Sequence, residues 1–341
     1  MGDGLPPALT LVELARATDT GRVRGHNEDR HLVSPPLLAV ADGMGGARAG
    51  EVAAGMAVEA LSGLGEEPAP ERLRQVVERA NRDIRASAAA DPSRAGMGTT
   101  MTAALVRDGR LDLVHVGDSR AYLWREGRLR RLTDDHSVVG EMVRRGALTA
   151  EQAERHPHRH VVTRALGAED RVDVDTREVE LRDGDVIMLC SDGLSGPVEE
   201  SELASILAAD GSLDDAARAM VEAANAAGGA DNITVVLARV GTGEPAEVPA
   251  AVELPTSTRR MPTLPRPTVG PDAEPAPIPG RTGAPPAPRA LQEVDRGRSR
   301  RVPLLIAAIA ALGIAIGALA WVGSRTYFVD EGDDGRVHVF H

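Results

Sequence analysis

Five short acidic signatures punctuate the first 240 residues: Asn27-Glu28-Asp29, Ala41-Asp42-Gly43-Met44-Gly45-Gly46, Gly117-Asp118-Ser119-Arg120, Ser191-Asp192-Gly193 and Asp231-Asn232. Carboxylates brought together make a site of hard oxygen donors, and no cysteine cluster accompanies these. Such a donor set selects Mg²⁺ or Mn²⁺ over Zn²⁺. Taken one at a time, an Asp-Gly pair is an ordinary turn. What separates a turn from a ligand is whether the fold carries the pairs to one place.

The elements that must do this are legible in outline. Apolar runs at 37–40, 113–116 and 186–189 end at three of the signatures, and short apolar runs bounded by glycine are how buried strands read. Residues 49–62 and 69–90 are Ala-rich with helical spacing, separated by Pro68 and Pro70. The stretch 99–132 predicts a meander with hairpin turns at Asp108-Gly109 and Glu126-Gly127. Short helices are expected at 137–146 and 149–155, longer ones at 199–207 and 213–226, and a strand at 233–240. Blocks of antiparallel strands with helical pairs between them predict an α+β fold, not the alternation of a parallel sheet.

With Gly21-Arg22-Val23-Arg24-Gly25-His26 before the first signature, Gly98-Thr99-Thr100 between the second and third, and Ile233-Thr234 after the last, the pieces fall into a known order. The chain resembles the protein phosphatase 2C (PP2C, or PPM) family of metal-dependent serine/threonine protein phosphatases, in its bacterial form, over residues 10–240. The resemblance implies an α-β-β-α sandwich, two antiparallel sheets packed together and each covered by helices. It implies two Mn²⁺ or Mg²⁺ ions, with Asp42 bridging them, the Gly43 carbonyl on one, and Asp192 and Asp231 completing the second. Glu28 and Asp29 match residues that hold the waters around the ions. Asp118, with Asp192, matches the position of a third, looser ion. Arg24 matches the arginine that forks onto the phosphoryl oxygens. Asn232 is expected to order its loop and not to touch metal.

One departure concerns the leaving group. Animal members carry His directly after the Asp-Gly pair, proposed as the acid. This chain has Met44, which transfers no proton, so a water on the ions or another side chain must serve, or aryl leaving groups need less help.

The other candidates are weaker. His156-Pro157-His158-Arg159-His160 suggests zinc, but Pro157 breaks any strand and no fourth ligand is evident. By resemblance it falls in a flap beside the site, where His160 matches a contact to the third ion in some relatives. Cys190, the only cysteine, lies in an apolar run and reads as core in a reduced domain, because the phosphate-cradling loop of a cysteine phosphatase does not follow it.

Composition divides the 341 residues into zones. Residues 1–8 read as a tail and 9–240 as the phosphatase domain. Residues 241–301 hold 13 of the 23 prolines and predict an extended, solvated tether. Residues 302–324 carry no charge and are long enough, at about 1.5 Å per residue, to cross a hydrocarbon core of about 30 Å as one transmembrane helix. Residues 325–341 form a short extracytoplasmic tail in which 336–340 reads as a strand cut off early, as in a fragment of a longer protein. Arg296, Arg298, Arg300 and Arg301 crowd the near side of the span, which places the catalytic domain in the cytoplasm at the cell membrane. No leader of basic and then apolar residues opens the chain.

All 39 basic residues are arginine and the formal net charge is −12. Linker and tail cancel each other, so this charge belongs to the catalytic zone and argues against nucleic acid. The expected partners are phosphorylated proteins, membrane Ser/Thr kinases and their substrates. A phosphatase of an anti-sigma-factor antagonist is an alternative, as is an inactive scaffold that only binds phosphoproteins. Intact Asp42, Asp192 and Asp231 argue against the scaffold.

Overall fold

The computed structural model describes residues 9–45, 49–64, 70–154, 156–248, 328–331 and 337–340. The chain divides into two units, Met1–Thr263 and Leu264–His341. In the first, the elements in order are β1 (Thr10–Asp19), β2 (Arg30–Ser34), β3 (Leu37–Ala41), β4 (Gly43–Met44), α1 (Ala49–Ser62) and α2 (Pro70–Ala90). Then come β5 (Gly98–Thr99), β6 (Met101–Arg107), β7 (Arg110–Val116), β8 (Arg120–Arg125), β9 (Arg128–Arg131), α3 (Val138–Arg144) and α4 (Ala150–Glu154). The unit closes with β10 (Asp175–Glu180), β11 (Val186–Cys190), α5 (Asp192–Ser195), α6 (Glu200–Ala208), α7 (Leu213–Ala226) and β12 (Ile233–Gly241).

Two five-stranded antiparallel sheets result, ordered β1-β12-β11-β8-β9 and β10-β7-β6-β3-β2. Strand alternation assigns each face a partner. On β3, Leu38 and Val40 face a central core with Ala104, Leu113, Leu123, Ile187, Leu189 and Val236. Leu37, Ala39 and Ala41 face outward onto Ala53, Ala57, Leu61, Leu73, Val77 and Ile84 of α1 and α2. On the other sheet, Met188, Cys190, Val235 and Leu237 face outward onto Leu203, Leu213, Ala217, Met220 and Val221 of α6 and α7. Three cores thus separate four layers, as the resemblance implied. Ser212 opens α7 with a capping box, its hydroxyl accepting from the Asp215 amide and the Asp215 carboxylate accepting from the Ser212 amide.

The expected meander is two hairpins in different sheets. β6 and β7 join through Asp108-Gly109, β8 and β9 through Glu126-Gly127, and all four turn residues have positive φ, the two-residue turn that matches strand twist. Between them, Gly117-Asp118-Ser119 carries the chain from one sheet to the other. Gly117 has φ +113°, and a Cβ there would lie 2.5 Å from Thr100 Cγ2, so only glycine makes this crossing.

β1, β2 and β10 have weaker apolar runs and are found by pairing: β1 lies along β12 from Thr10–Gly241 to Asp19–Ile233. The chain also stays attached past residue 240, the domain edge expected from sequence. Thr10 Oγ1 donates to the Gly243 carbonyl and the Ala246 amide to the Leu11 carbonyl. In the second unit, β13 (Phe328–Glu331) pairs antiparallel with β14 (Val337–Phe340), which holds the strand expected at 336–340. The expected membrane span at 302–324, nearly all of the linker and the 1–8 tail lie outside the described residues. No helix of the described residues is long and apolar enough to cross a membrane.

Candidate active site

Register places every acidic signature at one end of the sandwich. In one sheet Arg30 pairs with Ala41, and Met101 with Val116, so Asp29, Asp42, Thr100 and Gly117 share an end. In the other sheet Cys190 pairs with Arg120 and Val235, and Asp19 with Ile233. That gathers Asp192, Asp231 and the 20–29 loop around the same crossover that carries Asp118. The strands end in carboxylates because both sheets run out there together.

Glycines let the backbone close around this end. A Cβ on Gly43 would lie 2.3 Å from the Gly50 carbonyl oxygen of α1, and one on Gly193 would lie 1.9 Å from the Asn232 carbonyl oxygen. Asp42 is held by its backbone: its amide donates to Thr100 Oγ1 (2.9 Å), and its carbonyl accepts from the Thr100 amide (2.9 Å) and from Thr99 Oγ1 (2.9 Å). Its carboxylate is thereby left for the site.

Asn232 organises the 20–29 loop. Its Oδ1 accepts from the Glu28 amide (2.8 Å), and its Nδ2 donates to the Thr20 (3.0 Å) and His26 (2.9 Å) carbonyls. Arg24, half-exposed on that loop, donates from Nη2 to Asp231 Oδ2 at 2.8 Å. Asp29 is buried, and its Oδ2 accepts from Ser191 Oγ at 2.7 Å.

The electrostatics show how crowded this end is. Burial first, then repulsion from Asp29, Asp192, Asp118 and Asp231, pushes the Asp42 carboxyl well above the usual carboxylate range. Burial, then Asp192 and Asp135, does the same to Asp118. Burial carries Asp29 up to about 7 against the opposing hydroxyls of Thr234 and Ser191. Among the described residues no three acidic, histidine or cysteine side chains already stand at coordination spacing, the Arg24 guanidinium and Ser191 hydroxyl being turned onto two of the carboxylates. The donor set nevertheless fits divalent cations: mutually repelling carboxylates, hard oxygens throughout, and Asp29 Oδ1 buried without a hydrogen-bond partner.

The remaining candidates separate cleanly. Cys190 is fully buried and its thiol is pushed up to about 12, chiefly by burial, so it is core and no nucleophile. The His156 and His158 rings meet at a tilt of 49° with centroids 5.5 Å apart, and His160 Nδ1 stands 3.8 Å from Asp192 Oδ2, too far for a hydrogen bond. The Met44 side chain lies beside Gly98, its cross-strand partner. Sequence reasoning gave no role to Thr100, Ser119, Ser191 or His136. All four are buried polar residues; Ser119 and Ser191 stand inside signatures and Thr100 beside Thr99, whereas nothing in the sequence around His136 marked it.

A four-layer sandwich that delivers carboxylates from both sheets to one end is the architecture of a metal-dependent phosphatase. The chain belongs to the protein phosphatase 2C family of serine/threonine protein phosphatases, whose family model, Protein phosphatase 2C, matches residues 24–238. It is 42% identical over 233 residues to the serine/threonine phosphatase stp of Listeria welshimeri, covering 64% of this chain and 92% of that protein. It is 42% identical over 237 residues to the serine/threonine protein phosphatase PstP of Mycobacterium tuberculosis, covering 68% of this chain and 46% of that protein. A crystal structure of the PstP catalytic domain in complex with two manganese ions matches with a TM-score of 0.63 and 40% identity, covering 68% of this chain and 99% of that one.

Proposed function

We propose that this chain removes phosphate from phosphoserine and phosphothreonine in proteins, using Mn²⁺ or Mg²⁺ held by Asp42, the Gly43 carbonyl, Asp192 and Asp231. When bound, such a pair of cations lowers the pKa of a water and aims it in line at phosphorus. The residues divide the remaining work. Asp42 would be a shared ligand of the pair, and its hydrogen bonds with Thr99 and Thr100 fix its backbone independently of any ion. Glu28 and Asp29 order solvent, and the free Asp29 Oδ1 supplies an acceptor for it. Asp118, with Asp192, takes a looser third ion. Arg24 exchanges Asp231 for phosphoryl oxygens, which its fork and its half-exposed position permit. Met44 gives no proton, so the acid for the leaving alkoxide is another group.

The observation that carries this reading is the convergence of Asp29, Asp42, Asp118, Asp192 and Asp231 at one end of both sheets. The test is hydrolysis of a phosphothreonine peptide by the full chain with Mn²⁺, with Mg²⁺ and with EDTA. Turnover unaffected by EDTA would sink the metal reading, and phosphopeptide binding without turnover would favour the scaffold.

We further propose that residues 302–324 anchor the chain, with the catalytic unit on the cytoplasmic side near membrane Ser/Thr kinases and their substrates. The charge-free stretch behind an arginine cluster supports this. A reporter active only in the cytoplasm should give signal at the N-terminus and none at the C-terminus; the reverse pattern overturns the orientation.

A further inference from the structure

His136 is buried and bonded on every side, yet nothing in the proposed chemistry uses it. Its amide donates to the Gly117 carbonyl at 2.7 Å, and its Nδ1 accepts from the Gly117 amide at 3.0 Å. One residue before Asp118 is therefore gripped twice. Because Nδ1 accepts, the ring proton sits on Nε2, which faces the Asp175 carboxylate, 3.2 Å from Oδ2. Arg164 Nη1 also approaches Nε2, at 3.0 Å, but both atoms carry protons. That approach follows from their shared acceptor, since Arg164 donates to Asp175 Oδ1 at 2.6 Å and to the Asp173 carbonyl at 3.1 Å.

The His136 carbonyl in turn accepts from the Thr163 amide at 2.8 Å, and Ser137 bridges to Val162. These are the residues that follow the 156–160 flap, whose His160 leans toward Asp192. The His115 ring packs against His136 with centroids 4.7 Å apart, tied to Thr102 Oγ1 at 2.9 Å and the Asp134 carbonyl at 3.1 Å. On the far side of Gly117, Thr100 joins Ser119 Oγ (2.7 Å) to the Asp42 amide. A continuous set of bonds thus runs from Asp42 through Thr100 and the crossover to His136 and the flap.

We infer that His136 is a positioning residue that ties the flap to the Asp118-bearing crossover, so that occupancy at Asp118 and order in the flap are coupled. The coupling rests on the metal role proposed for Asp118, whereas the tie between flap and crossover does not. Coupling of this kind is reciprocal: what tightens one end tightens the other.

The test uses the full chain and side chains that each retain half of the imidazole. In His136→Asn the amide oxygen stands near Nδ1, keeping the Gly117 bond and losing the one to Asp175. In His136→Gln the longer amide reaches toward Asp175 and leaves the Gly117 amide without its acceptor. Asp175→Ala cuts the flap-side bond from a half-exposed position that the fold tolerates. The readouts are amide hydrogen exchange over 156–166, in EDTA and in Mn²⁺, and calorimetric Mn²⁺ binding. Asp118→Asn identifies the ion concerned.

His136→Gln should weaken that ion by about tenfold or more, as loss of a group supporting a ligand does, with His136→Asn much closer to wild type. His136→Asn and Asp175→Ala should speed flap exchange by about tenfold even in EDTA, and should abolish the slowing that Mn²⁺ brings to wild type. Unchanged flap exchange in both, or equal loss of Mn²⁺ affinity in the Asn and Gln variants, overturns the inference. Exchange in EDTA reads the tie without catalysis, so an inactive wild type would defeat the proposed function and leave this result standing.

Discussion

Asp42 and Thr100 hold each other twice: the Asp42 amide donates to Thr100 Oγ1, and the Thr100 amide donates to the Asp42 carbonyl, both at 2.9 Å. The bridging candidate is thereby fixed by its main chain, and its carboxylate is spared for the site. Thr100 Oγ1 also meets Ser119 Oγ at 2.7 Å, so one hydroxyl orders both sheets' contributions.

Thr100→Val keeps the shape and removes that hydroxyl. It leaves the Asp42 amide and the Ser119 hydroxyl short of a partner in a buried place, a loss of about 1–3 kcal/mol. Urea denaturation should show it, and Thr100→Ser should restore most of it. A Val variant as stable as wild type would mean that the two sheets hold this end without Thr100.

Asp42→Asn and Asp192→Asn should each abolish turnover on phosphothreonine peptides while the fold persists, because each takes a charge from a cation site. Without cations Asp42→Asn should be no less stable than wild type, since a carboxyl raised by burial and by four neighbouring acids is replaced by a neutral group. Circular dichroism with thermal melts in EDTA checks the second half. Full Mn²⁺-dependent activity in either variant would refute the ligand assignment.

Arg24→Ala should raise KM and lower kcat together, because a fork on phosphoryl oxygens acts in the ground and transition states alike. Its ion pair with Asp231 is largely exposed and contributes little to stability, so the melting temperature should barely move. A kcat unchanged at saturating peptide would remove Arg24 from the transition state.

His115 supplies a pH dependence of definite sign. Burial first, then the neighbouring His136, lowers its pKa to about 3. In the unfolded chain it titrates near about 6.5, so below that pH the unfolded state binds a proton that the folded state refuses. The His115 contribution to stability should therefore be fully present above about pH 6.5 and be lost as the pH drops toward 3. His115→Gln should flatten the slope across this window, measured as the difference between the two denaturation curves. An identical slope would mean that His115 is protonated in the fold.

The sequence by itself determined the class of fold, the strands that end in Asp42 and Asp192, the two positive-φ hairpins and the identity of the acidic signatures. These are local facts: period, turn chemistry and motif order are written within a few residues of one another. It also marked Asp29, Asp118, Asp231 and Arg24 as a set, through motif order alone. Tertiary structure decided what links them. That 99–132 is two hairpins in two sheets depends on Gly117 crossing against Thr100, a contact between residues on different strands. That β1 is a strand at all depends on β12, more than 200 residues later. The hydroxyls of Thr100 and Ser191 and the ring of His136 gain their meaning from partners brought near by packing. A hydrogen bond across 162 residues, such as Ser191 to Asp29, leaves no periodicity to read.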